Sequence, residues 1–128
     1  MPFTGKVGDT LLLSDIGGRH RYVILTEPNA NGDVVITNFT TASHFEWHVV
    51  FRPKDNRQLF TERCTPNYND ARLYPLSALL KIAENTHIDY VFCTHNHIKK
   101  IVAGALQSKH TPLEIADELK IQYFEIPK

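Results

Sequence analysis

Apolar residues follow two different spacings along this chain. Before residue 75 they form short runs rich in β-branched residues, such as 22–25 and 34–36, which are typical of strands. From Pro75 onward they recur three and four residues apart, which predicts amphipathic helices. The 128-residue chain is therefore predicted to be a single α+β domain, 1–128, with a β portion at 1–74 and a helical portion at 75–128. We expect a small, strongly bent barrel or sheet with the helices packed on one side.

A hairpin at residues 19–41 is the most regular part of the β portion. Two apolar runs flank the segment 27–33, which is rich in Pro, Asn and Gly, as in a hairpin with a longer loop. Because the outer ends of the two strands lie side by side in a hairpin, their polar residues are expected at one edge of the sheet. Those residues are His20, Arg21, Thr40 and Thr41.

The remaining elements are predicted from shorter signals. Further strands are expected at 7–13, 47–51, 59–61 and 68–74, with loops between them. One helix is expected to begin near Pro75, and Thr94 is expected to cap a second helix. Thr111 and Glu114 form a capping-box pattern for a third helix, which is expected to bury Leu113, Ala116 and Leu119, with Ile115 as a further candidate.

Composition excludes some classes of protein. Fourteen Lys and Arg balance fourteen Asp and Glu, so the chain is not a globally basic nucleic-acid binder and any such role needs a local patch. Cys64 and Cys93 are too few for a disulfide scaffold, which indicates reduced thiols in the cytoplasm. No secretion signal or membrane-spanning apolar run is present, so we expect a cytoplasmic protein without membrane contact.

Metal and cofactor chemistry are not indicated. Cys93, His95 and His97 are suitable ligand types, but residues two apart on a helix do not face each other. Phosphate-binding loops, nucleophile elbows and dinucleotide fingerprints are absent from the sequence. We therefore expect neither a metal nor a cofactor.

The polar end of the hairpin is the strongest candidate for chemistry. Arg21 could hold a phosphate and stabilise developing negative charge, and Thr40 could donate to a phosphate oxygen. Because RNA carries its own nucleophile, the 2′-hydroxyl, a metal-free ribonuclease needs only a base, an acid and a charge stabiliser. His20 and His44 are candidate proton carriers. The alternative is that these strand ends simply face water.

Several short motifs resemble the amino-terminal half of the PemK/MazF (Kid-like) toxin family. Gly8-Asp9 precedes the first strand, Arg21 opens an apolar run, and Phe39-Thr40-Thr41 ends a later strand, as in that family; residues 68–72 resemble a segment of some PemK-like relatives. The resemblance covers about residues 7–74, with Tyr22 in place of the usual Pro and a longer helical end. It implies an SH3-like small β-barrel followed by carboxy-terminal helices, usually as a homodimer. It also implies a metal-independent endoribonuclease that is neutralised by a partner antitoxin and uses Arg21 and Thr40.

Two non-catalytic functions compete with RNA cleavage. One is an RNA- or protein-binding module on the same barrel. Whether the chain cleaves RNA or only binds it, the residues expected to contact RNA are Arg19, Thr41, His44, Arg52, Lys54 and Arg57. The other is a protein adaptor that presents the helix at 94–107, because residues 90–113 contain no acid and should expose a cationic face. The alternative is a purely structural role, in which this helix only packs on the barrel.

Overall fold

The computed structural model describes residues 3–15, 18–41, 49–60, 62–84 and 91–123. For residues 15, 18, 19 and 41 it describes the backbone only. His44 and the first two residues of the strand predicted at 47–51 therefore lie outside the described residues. Its last three residues are described and do not form a strand, because only Phe51 pairs, in an isolated bridge with Cys64.

Strands precede helices along the described chain, as the apolar spacing predicts. The strands are β1 Thr10–Asp15, β2 Gly18–Ile24, β3 Asp33–Thr41, β4 Cys64–Pro66 and β5 Arg72–Pro75. A single 3-10 turn, Tyr68–Asp70, lies between β4 and β5. The helices are α1 Leu76–Glu84, α2 His95–Gln107 and α3 Leu113–Tyr123. The α+β class is confirmed.

The central strand of the sheet is β3. The described strands form an antiparallel five-stranded sheet in the order β1-β2-β3-β4, and β5 pairs with the first part of β3. The predicted hairpin is confirmed, because β2 and β3 pair in antiparallel register from Tyr22 opposite Asn38 to Ile24 opposite Ile36. The last three residues of β3 lie beyond this ladder and pair with β4. Thus β3 pairs with three strands, β2, β4 and β5.

Helices pack on both faces of the sheet. On one face, Val23, Leu25 and Val35 pack in a core with apolar residues of α2 and α3. On the other face, Ile24 and Ile36 pack in a second core that includes Leu79 of α1. The expectation that all helices pack on one side is therefore wrong. Side chains alternate along a strand, and consecutive residues of β2 and β3 are apolar. Both faces of the sheet therefore carry apolar side chains that must be buried.

The segment before β1 is joined to the segment before α2. Gly8 has a φ of +96°, and a Cβ there would lie 2.6 Å from the carbonyl oxygen of Cys93. The Cys93 amide donates to the Gly8 carbonyl at 2.8 Å, and Asp9 and Phe92 form an isolated bridge. These contacts tie the two segments together, and the strands within the described ranges do not close into a barrel.

The two helix starts that are predicted from capping residues have different outcomes. Thr94 caps α2 as predicted, because its side chain accepts a hydrogen bond from the His97 amide. In contrast, α3 begins at Leu113, and the Thr111 hydroxyl donates to the Ala105 carbonyl of α2 at 2.7 Å. Leu113 is 76% exposed, so its predicted burial is wrong. Leu119 is buried as predicted, and the further candidate Ile115 is buried as well.

Some short predicted elements are also wrong. Leu59 lies in a turn and Phe60 in irregular structure, where a strand is predicted at 59–61. Residues 64–66 form β4 where loop is predicted, and 68–74 begins as a 3-10 turn before β5. No helix in the described part of the chain is long and apolar enough to cross a membrane.

Candidate functional site

An open cavity of about 230 Å³ lies where β3 separates from β2. The β2–β3 ladder stops at Tyr22 opposite Asn38, so the next residues on each strand, Arg21 and Phe39, are not paired with each other in the described sheet. Both line the cavity. The described residues that line it are Arg21, Phe39, Thr40, Leu59, Phe60, Glu62 and Cys64. The cavity therefore lies beyond the end of the β2–β3 ladder.

Arg21 is held in the cavity wall by a buried hydroxyl. Its NH1 group donates to Thr10 Oγ1 at 2.8 Å, and that hydroxyl donates to the carbonyl of Val91 at 2.6 Å. Thr10 is 3% exposed, whereas Arg21 is half-buried. Because Thr10 lies on β1 beside β2, the sheet itself fixes one edge of the guanidinium.

Phenylalanine rings form the apolar side of the cavity. Phe39 meets Phe60 edge-to-face with the ring centroids 5.1 Å apart. Phe60 in turn stacks on Phe51, with a centroid distance of 4.9 Å and an interplanar angle of 15°. Packed aromatic rings beside a cation suit a ligand that combines a flat apolar part with negative charge.

Acidic and thiol groups complete the cavity wall. Glu62 is exposed and lines the cavity together with Arg21, so the wall carries both signs of charge. Burial, together with the nearby carboxylates of Glu62 and Asp55, raises the pKa of Cys64 to about 12. A thiol with so high a pKa is protonated at neutral pH, and Cys64 is therefore not an activated nucleophile.

The structure brings Arg21 and Thr40 to the same cavity, but their side chains approach it differently. Arg21 shares a sheet face with Val23 and Phe39 by strand alternation. The same alternation assigns the Thr40 side chain to the opposite face of β3 from Phe39. The Thr40 hydroxyl therefore lies on the opposite face of β3 from the Phe39 ring.

The other predicted residues are distributed around this site. His20 is opposite Leu13 on β1, and alternation places it on the other face of β2 from Arg21, so the structure does not bring the two together. The backbones of Arg19 and Thr41 lie on β2 and β3, but their side chains, like His44, are outside the described part. Three further predicted RNA contacts are exposed in the segment 49–60, namely Arg52, Lys54 and Arg57.

Sequence reasoning missed Thr10, Phe60 and Glu62. The only local signal for Thr10 is its position directly after Gly8-Asp9, and nothing local shows that its hydroxyl would meet an arginine eleven residues later. Phe60 and Glu62 reach the cavity from a segment that is distant in sequence. Among the described residues, no group of three or more His, Cys, Asp or Glu could hold a metal ion.

No protein-family model, curated protein or solved structure matches the chain.

Proposed function

We propose that the chain is a PemK/MazF-like protein that binds RNA at the Arg21 cavity and cleaves it without a metal ion. The observation that carries this proposal is the placement of Arg21, which is fixed by Thr10 in an open cavity that Thr40 and two phenylalanine rings also line. A phosphate could contact the guanidinium while a base rests against the rings.

The sheet supports the fold that this proposal requires. An SH3-like barrel is a small antiparallel sheet so strongly bent that one strand takes part in two ladders. In this chain β3 pairs with β2 and β5 along its first part and with β4 at its end. The bridge between Phe51 and Cys64 extends the second ladder. We propose that these ladders are the two parts of an SH3-like barrel.

The chemistry of cleavage assigns a clear role to Arg21. The RNA 2′-hydroxyl gives its proton to water and attacks the adjacent phosphorus, and the bond to the 5′-oxygen of the next nucleotide breaks as that oxygen takes a proton from water. The products are a 2′,3′-cyclic phosphate and a 5′-hydroxyl. Negative charge builds up on the phosphoryl oxygens in the transition state, and a guanidinium already held by Thr10 stabilises it without reorganisation. We assign no proton transfer to His20, because alternation directs it away from Arg21.

A direct experiment is incubation of the purified protein with single-stranded RNA in excess EDTA. We expect fragments that end in a cyclic phosphate, and we expect Arg21→Ala to abolish them. Arg72→Ala is the matched control and should leave cleavage unchanged. Arg72 forms an ion pair with Asp70 and lies over the ring of Tyr22, a residue of the second core. Intact RNA with the wild-type protein would contradict the proposed activity.

A second candidate is RNA binding without cleavage. It is favoured by strand alternation, which assigns the Thr40 side chain to the opposite face of β3 from Phe39. A cavity that holds RNA with Arg21 and an aromatic ring but without that hydroxyl can bind without catalysing. In the same experiment this function gives salt-dependent binding to RNA and no fragments.

A toxin-type function also requires partners. We propose that the chain forms a homodimer in the cytoplasm and is neutralised by an acidic antitoxin protein. Sedimentation of the purified chain tests the dimer. Co-expression with the product of the neighbouring reading frame tests the antitoxin, because relief of a growth defect is expected only from a true partner.

A further inference from the structure

Two cationic segments that are far apart in sequence form one surface. The first is the segment 49–57, which carries Arg52, Lys54 and Arg57, and the second is the start of α2, which carries His95, Lys99 and Lys100. All six side chains are exposed. We call these six residues the cationic surface.

Two hydrogen bonds and one ring contact join the segments. Lys100 Nζ donates to the carbonyl of Val50 at 3.3 Å and lies 5.0 Å from the centre of the Phe51 ring. At the other end, Asn56 Nδ2 donates to the carbonyl of Phe92 at 3.0 Å. The segment 49–57 is therefore fixed along the amino-terminal half of α2, and its cations adjoin those of the helix.

The charges on this surface are almost all positive. Between residues 90 and 113 the sequence contains no acid, and within 49–57 the only acid is Asp55. The Asp55 carboxylate accepts a hydrogen bond from the Arg52 backbone amide at 2.7 Å, so it serves the local turn. A neutral chain thus concentrates positive charge on one side, which a polyanion would recognise.

Stacked rings connect the cationic surface to the Arg21 cavity. Lys100 lies over Phe51, Phe51 stacks on Phe60, and Phe60 lines the cavity. Because Phe51 and Phe60 are buried, these contacts do not form a path for a ligand but fix the cationic surface beside a cavity that contains a guanidinium and the half-buried Phe39 ring. Single-stranded RNA has this combination of regularly spaced phosphates and flat bases. An acidic polypeptide would use the cations but has no group that requires the cavity.

We propose that the cationic surface binds the sugar–phosphate backbone of an RNA single strand that has one nucleotide in the Arg21 cavity. This inference rests on the proposed RNA function and adds the path of the strand, including α2. Each cation that contacts a phosphate releases counterions on binding, so its removal lowers the salt dependence of the affinity in a predictable way.

The test uses a labelled 2′-O-methyl RNA oligonucleotide, which lacks the nucleophile for cleavage, and measures its affinity by fluorescence anisotropy over a series of salt concentrations. The variant is Lys54→Ala combined with Lys99→Ala, which takes one residue from each segment and leaves Lys100 to pack on Phe51. We expect the slope of log affinity against log salt to fall in magnitude by about 1.4, or about 0.7 for each lost phosphate contact. Lys54→Arg with Lys99→Arg should retain the wild-type slope.

The control combines Lys81→Ala and Lys120→Ala, which remove exposed lysines of α1 and α3. Their slope should equal that of the wild type, and thermal melting should show all variants folded. Equal slopes for the two alanine pairs would overturn the proposed path while leaving RNA binding intact. If the wild type does not bind RNA, the proposed function itself fails. If polyglutamate binds as tightly as RNA at the same salt concentration, the surface is one for acidic polypeptides and the path is again overturned.

Discussion

Thr10 and Arg21 are joined by a hydrogen bond of 2.8 Å between neighbouring strands, and the same Thr10 hydroxyl donates to the carbonyl of Val91 at 2.6 Å. A single buried hydroxyl therefore links β1, the candidate catalytic cation on β2 and the segment that leads into α2. Because the hydroxyl proton is directed to Val91, its oxygen lone pair is directed to the guanidinium. This polarity suits Arg21, which can only donate.

Replacement of Thr10 by Val should weaken the function of Arg21 without removing it. The valine keeps the shape of threonine but cannot accept the hydrogen bond, so the guanidinium loses its fixed orientation. We expect RNA affinity or cleavage to fall about 10-fold, which corresponds to about 1.4 kcal/mol. Fluorescence anisotropy and a cleavage assay measure the change.

Thr26→Val is the matched control for this variant. Thr26 is also buried, and its hydroxyl accepts a hydrogen bond from the Val35 amide at 2.9 Å, but it does not line the cavity. It should lower stability without a specific loss of RNA function. Similar functional losses in the two folded variants would show that Thr10 acts through stability alone.

Thr40 separates the two candidate functions. If its hydroxyl takes part in cleavage, as the resemblance implies, Thr40→Val should reduce the cleavage rate at least 10-fold and leave the affinity for RNA nearly unchanged, because Val keeps the β-branched shape of Thr on β3. Single-turnover cleavage rates measure the first quantity and anisotropy the second. Wild-type rates in the variant would leave Arg21 as the charge stabiliser and remove the Thr40 hydroxyl from the mechanism.

Local patterns predict the parts of the fold that local forces determine. The hairpin at 19–41 and the helix after Thr94 follow from their apolar spacing, their turn formers and one N-cap, and both are confirmed. In contrast, the spacing of α3 fits two stripes that share Leu119, one through Leu113 and one through Ile115. Only packing against β2, β3 and α2 decides that Ile115 is buried.

The candidate site was less accessible to prediction, because its geometry depends on pairings between distant segments. Arg21 and Thr40 are predicted from their places at the outer ends of one hairpin, which the local pattern determines. The end of the β2–β3 ladder at Asn38 and the pairing of the rest of β3 with β4, a strand of three residues within a segment rich in turn formers, have no such local signal. Similarly, Gly104 approaches Tyr68 and Val49 so closely that a Cβ would lie 2.5 Å or less from each, a contact without a local sequence signal.

Asp9 should be essential for stability but not for chemistry. It is 2% exposed, and its Oδ2 atom accepts hydrogen bonds from the amides of Thr4, Gly5 and Lys6 at 3.0–3.2 Å. Asp9→Ala leaves these amides without their acceptor, and we expect the free energy of unfolding to fall by about 3 kcal/mol. Asp9→Asn keeps an acceptor oxygen and should cost less.

Urea denaturation measures both Asp9 variants, and Asp117→Ala provides the control because Asp117 is exposed on α3. The control should change the free energy of unfolding by less than about 0.5 kcal/mol. A loss of similar size in Asp9→Ala and Asp117→Ala would contradict the structural role of the buried carboxylate.

The two buried thiols predict how stability depends on pH. Burial raises the pKa of Cys64 and of Cys93 to about 12, from an ordinary value of 9.0. Above pH 9 the unfolded chain loses these protons while the folded chain keeps them, so the stabilisation is complete below about pH 9 and is lost as the pH rises towards 12. Burial also raises the pKa of Tyr123, which should add to the loss.

We expect the free energy of unfolding to fall between pH 9 and 11 and the fall to be shallower in a Cys64→Ala, Cys93→Ala double variant. Equal slopes in the two proteins would show that the thiols titrate alike in the folded and unfolded states, whereas rapid alkylation of the folded wild type at pH 8 would show that they are not buried.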